Sequence, residues 1–131
     1  MATDTRTFAT TDTSASSGRL ANVGLWVLQA IAAAMFLMAG TMKLIGNPEM
    51  VQLFGAIGIG QWFRYLTGTI EVVGAILLLV PGAAVFGAVP LALTMVGAII
   101  AHLFVVGGNP AVPIVLLAIT STVAWARWRS R

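Results

Sequence analysis

Four apolar runs, at about 22–45, 61–80, 83–106 and 111–126, leave this chain little choice of fold. Each is roughly 17 to 24 residues long, and a helix rising about 1.5 Å per residue then crosses the roughly 30 Å hydrocarbon core of a bilayer. The expectation is an all-α polytopic membrane protein: a four-transmembrane-helix bundle with a short interfacial helix between spans one and two. Composition agrees, because 59% hydrophobic residues, 8% charged residues and a mean hydropathy of +0.97 lie outside the range of a soluble globular domain of this length.

The punctuation between the runs is made of glycine, asparagine and proline. Residues 1–21 are rich in Thr, Ser and Ala with balanced charge, and read as a disordered cytoplasmic tail ahead of Asn22, a candidate N-cap. An export signal is set aside, since the apolar run after Arg19 is too long for one. Gly46-Asn47-Pro48 closes span one. Asn47 as N-cap, Pro48 at the first helical position and Glu49 in the first turn then start a short helix with an apolar face of Met50, Val51, Leu53, Phe54 and Ile57. It is too short to span and is expected at the interface. Gly58 and Gly60 end it, and Trp62, Arg64 and Tyr65 mark the entry of span two at headgroup level. Pro81-Gly82 and the 107–110 segment, GGNP, are the later turns. The membrane domain is thus 22–127, followed by a basic cytoplasmic end at 128–131.

Charge places the ends. Arg19 with Arg127, Arg129 and Arg131 outweighs Lys43 and Arg64, so both termini are expected in the cytoplasm of a protein integral to the cell membrane. The net charge of +3 and pI near 10.7 do not indicate nucleic acid, because the C-terminal arginines directly follow an apolar span and read as a topology signal and headgroup anchor. The absence of cysteine excludes disulfides, a thiol relay and thiolate metal sites within this sequence. Met35, Met38, Met42 and Met95 read as packing rather than a soft-metal path, and no metal ligand set is expected.

The remaining polar residues inside the spans carry the functional reading. A carboxylate within a span is costly and needs a partner, which makes Glu71 of span two the residue to explain. Side chains lean toward the N-terminus of their helix. Lys43 and His102 therefore lean inward from spans one and three, and Glu71 leans outward from span two, toward a common depth. Arg64, seven residues before Glu71, competes as its partner, and Gln29 lies deeper on the Lys43 face. Each has a plainer account: Lys43 snorkelling to headgroups, His102 packing near a helix end, and the cluster as a clasp holding helices together. Gly40, Gly68, Gly74 and Gly97, with the alanine-rich 30–34 stretch, suit close helix packing.

The segments AGTMKLIGNPEMVQLF and GQWFRYLTGTIEVVGAILLLVP, with AHLF in the third span, resemble the DoxX-like family of small four-helix membrane proteins over about 22–127. The resemblance rests on Gly40-x-x-Lys43, Gly68-x-x-Glu71 and His102 in successive spans. It implies a four-helix bundle associated with oxidoreductase systems, since the wider family is linked to quinone-coupled thiosulfate oxidation and membrane redox complexes. Distant relatives act in assembly of other membrane proteins. Two functions follow. One is an accessory subunit binding a quinone or lipid, with Lys43 and His102 donating to a carbonyl headgroup and Glu71 tuning them. The alternative is a structural or assembly subunit of a larger membrane complex or homo-oligomer, with no chemistry of its own.

Overall fold

The computed structural model describes residues 2–130, with side chains described from Gly18 to Ser130. The order is α1 (Ala2–Ile45), α2 (Pro48–Ile57), α3 (Gln61–Leu78), α4 (Ala84–Ala101), a π-helical continuation of α4 (His102–Val106), and α5 (Ala111–Arg129). No strand occurs among the described residues. Three segments are long and apolar enough to cross a membrane: Gly18–Ile45 of α1, Ala84–Val106, and α5. The 18-residue α3 is not one of them, because Gln61, Arg64 and Glu71 lower its apolarity.

The start of α1 departs from expectation. The helical backbone takes in the 2–21 stretch read as an unstructured tail, where no proline and no glycine before Gly18 interrupts it. Asn22 accordingly lies inside a helix and caps nothing. The side chains before Gly18, and Arg131, lie outside the described residues.

The Asn47 side chain accepts from the Glu49 amide at 3.0 Å, Pro48 opens α2, and Gly58 closes it in the left-handed region at φ 82° with its N–H on the Phe54 carbonyl. Phe54 is buried against α3, where its ring meets Phe63 at 5.9 Å.

Helices α1, α3, α4 and α5 close a ring, α1 on α3, α3 on α4, α4 on α5 and α5 back on α1. The core between them repeats at helical spacing: Ala32, Ala33 and Phe36 of α1 meet Ala75 and Leu78 of α3, Ala84, Ala88, Leu91 and Met95 of α4, and Leu116 and Val123 of α5. In lipid such contacts gain mainly from close packing, so small residues decide where helices meet. A Cβ on Gly74 would stand 2.7 Å from Leu91, and one on Gly87 would strike the Gly74 carbonyl. Gly97, grouped in the sequence reading with the packing glycines, faces open space, with nothing within 4 Å of its would-be Cβ.

Candidate functional site

The site begins at the crossing of α1 and α3. Gly40 lies opposite Glu71, since a Cβ at 40 would be 3.1 Å from the Glu71 Cβ and 2.9 Å from the Gly68 carbonyl. Lys43 lies opposite Gly68, whose would-be Cβ stands 3.0 Å from the Lys43 Cβ. Each charged residue therefore sits over a glycine of the other helix, and the missing side chains let the backbones close until the charges meet. The Lys43 ammonium lies 3.0 Å from Glu71 Oε1 and donates to Oε2 at 3.1 Å. Glu71 is 1% exposed, so its charge is met by Lys43 rather than by water. An ammonium has three N–H donors, and the hydrogen bond to Oε2 occupies one of them.

His102 does not join that pair. It opens the π-helical segment and turns Nδ1 to the carbonyl of Ala98, 2.8 Å away on its own helix. A carbonyl only accepts, so Nδ1 carries the proton, and Nε2 is an acceptor in the neutral ring and a donor once protonated. What His102 shares with Lys43 and Glu71 is a lateral groove of about 730 Å³, walled mainly by apolar residues such as Phe36, Leu53, Phe63, Ile70 and Leu116. α2 and the π-helical segment flank one end of it.

Arg64, read as a rival partner for Glu71 and as a headgroup marker, does not pair with Glu71 and turns into the bundle. It is 5% exposed and donates through Nη1 to the Lys43 carbonyl and through Nε to Gln61 at 2.8 Å, with Tyr65 beneath its guanidinium at 4.3 Å. The last carbonyls of a helix have no intrahelical donor and favour a cation, and Arg64 meets that need at the end of α1. Of the three residues read as marking this entry, Trp62 and Tyr65 are exposed and Arg64 is not.

Gln29 is also separate from the cluster. Fourteen residues of α1 put it roughly 21 Å from Lys43, beyond the core layer of Ala32, Ala33 and Phe36. Its amide donates to the Leu78 carbonyl at 2.6 Å and accepts from Arg127 Nε at 2.7 Å, while Arg127 Nη1 donates to Asn22 at 2.8 Å. Reading Arg127 as a free anchor missed this network. The available signal was Asn22, Trp26 and Gln29 on one face of α1 at spacings of four and three, a polar stripe needing a facing donor.

The sequence model of the DoxX-like family matches residues 27–123. A curated relative from Bacillus subtilis (strain 168), named "Putative oxidoreductase CatD", is 33% identical over 78 residues, which is 60% of this chain and 58% of that protein. The chain therefore spans little more than half the length of that relative. No solved structure matches.

Proposed function

The chain belongs to the DoxX-like family, and from that premise we propose that this integral membrane protein is a four-span accessory subunit of a membrane oxidoreductase system, holding a quinone or similar carbonyl-bearing lipid in its lateral groove. In this reading α3 is the second span, α2 lies at the interface, and both termini are cytoplasmic, with Arg127 and Arg129 at one end of the bundle. The link to oxidoreductases is supported by the relative's name.

The observation that carries the reading is the groove: about 730 Å³, largely apolar, with Lys43, Glu71 and His102 as its ionisable groups. Apolar walls suit an isoprenoid-like tail, and polar groups at one end suit a carbonyl head. A quinone, when bound, supplies the capacity to take up two electrons and two protons. A further Lys43 N–H donates to a carbonyl oxygen, and His102 Nε2, once protonated, donates to the same class of acceptor. Glu71 holds the ammonium in place.

The test is extraction and mass spectrometry of protein purified in mild detergent. Wild type retains quinone at close to one per chain, and His102→Gln, which leaves the Lys43–Glu71 pair intact, retains several-fold less. Wild-type protein carrying none, even after incubation with excess quinone, would end this reading.

A second reading has its own observation. The Lys43–Glu71 pair already meets both carboxylate oxygens inside a crossing built by two glycines, which is what an internal clasp in an assembly subunit requires. Under it, Glu71→Gln lowers stability and complex yield together, and His102→Gln changes neither.

A further inference from the structure

The hydrogen-bonding side chains on the wall of the lateral groove are Lys43, Thr67, Glu71, Thr94 and His102, and most of their donors are already spent. Thr67 gives its hydroxyl hydrogen to the carbonyls of Phe63 and Arg64, and Thr94 gives its own to Pro90 at 2.8 Å. A hydroxyl so placed has nothing left to donate. Glu71 accepts from Lys43 and, at 1% exposure, is shut away from the groove's contents.

His102 is the open member. Its Nδ1–H is held by the Ala98 carbonyl, and Nε2 has no hydrogen-bond partner among the described residues. Nor is Nε2 sealed in, since Arg127 Nη2 is the one buried, unpartnered side-chain nitrogen or oxygen among those residues. With the ring neutral, Nε2 is an acceptor. The side chains of the wall thus offer a ligand one donor, a further N–H of Lys43, and one open nitrogen acceptor.

We infer, on the reading that the groove holds a quinone-type ligand, that the form it holds tightest is the reduced one. This is a hydroquinone whose hydroxyls donate to Nε2 of neutral His102 and accept from the Lys43 ammonium. A quinone head has two carbonyl acceptors and no donor, so it can take the Lys43 N–H but meets Nε2 lone pair against lone pair. A hydroquinone head accepts the same N–H and supplies the hydrogen that Nε2 lacks. The apolar wall, with Phe36, Phe63, Ile70 and Leu116, treats the tails of the two forms alike, so the difference rests on the head.

Leaving one polar contact unmade in a water-poor site corresponds to about tenfold in affinity. Tighter binding of the reduced form raises the midpoint potential of the bound couple, by about 30 mV for a tenfold preference between two-electron partners. The bound quinone is then a better electron acceptor than the same molecule free in the bilayer.

The test is titration calorimetry of the full chain in detergent, without oxygen and in mildly alkaline buffer, where an imidazole is neutral. Decylhydroquinone, decylbenzoquinone and the dimethyl ether of decylhydroquinone are compared. On wild type the hydroquinone binds about tenfold tighter than the quinone, and the ether, which keeps the oxygens but not the hydrogens, loses that advantage. His102→Phe keeps a ring without Nε2 and brings the ratio close to one, through a larger fall for the hydroquinone than for the quinone. Quinone binding to wild type as tightly as hydroquinone, or tighter, would overturn the preference while leaving a ligand in the groove. An equal fall of both forms in His102→Phe would reduce His102 to packing and overturn it as well. If that variant does not fold, the ether on wild type decides, since an ether bound as tightly as the hydroquinone means that the hydroxyl hydrogens are not recognised. Binding of none of the three would end the preference and the groove reading together.

Discussion

Lys43 and Glu71 hold each other because neither can be left alone at that depth. Glu71 is 1% exposed and the Lys43 side chain 14%, so removing either charge strands the other in a poorly solvated place. Glu71→Gln is expected to destabilise the protein by about 3 kcal/mol, at the low end for a broken buried pair because Lys43 keeps some access to water. The double change Lys43→Met with Glu71→Leu should cost less than the Glu71 change alone, since it removes both charges and fills their volume. Thermal unfolding in one detergent, arranged as a double-mutant cycle, reads the coupling, and additive effects would mean the contact contributes nothing. At this scale the sequence was partly legible. An acid in an apolar run demands a partner, and helix direction pointed to Lys43. It could not separate Lys43 from Arg64, because that choice depends on Arg64 reaching past the pair to a backbone carbonyl of α1, which no spacing rule shows.

Elements meet in this bundle where a side chain is missing. The α1–α3 crossing has two glycines, each facing the Cβ of a charged residue, and the α3–α4 crossing is Gly74 against Leu91 with Gly87 against the Gly74 carbonyl. Gly40→Ala puts a methyl 2.9 Å from the Gly68 carbonyl and 2.8 Å from Val72, so the helices must part. The expected cost is about 1–3 kcal/mol of overpacking, with a weakened Lys43–Glu71 contact. Gly97→Ala meets nothing and is expected to stabilise by about 0.5–1 kcal/mol, the ordinary gain of alanine within a helix. Parallel melting curves check the pair, and equal behaviour of the two variants would mean that the crossings do not depend on bare glycine. Composition marked Gly40, Gly68 and Gly74 correctly and Gly97 wrongly, and passed over Gly87, for one physical reason. Whether a helical glycine lies under a neighbour depends on the rotation of its helix about its own axis. In α4, apolar nearly all round, the pattern of residues does not encode that rotation.

For the molecule as a whole, the decisive element is α3, the helix too polar to qualify as a span by hydropathy. Its polarity comes from residues with internal partners: Gln61 and Arg64 bond each other, and Glu71 bonds Lys43. Its direction along α1 is set at two levels, by Glu71 against Lys43 near one end and by the Leu78 carbonyl against Gln29 near the other. Those two α1 residues are roughly 21 Å apart, so α3 runs alongside most of a membrane-crossing helix. A helix held that way inside a bilayer is expected to cross with its neighbour, whatever its own hydropathy. The two countings place the chain ends differently. With four spans and both termini cytoplasmic, the connection at Ile59 is outside and Ser130 inside; if α3 stayed on one face, Ser130 would emerge on the same side as Ile59. The chain has no cysteine, so Ile59→Cys and Ser130→Cys, both at exposed positions, each give a single reporter. Membrane-impermeant maleimide on intact cells is expected to label Ile59→Cys and to reach Ser130→Cys only after lysis. Labelling of both in intact cells would give three spans, and labelling of Ser130→Cys alone would keep the bundle but invert it, putting Arg127 and Arg129 outside and the groove's polar end inside.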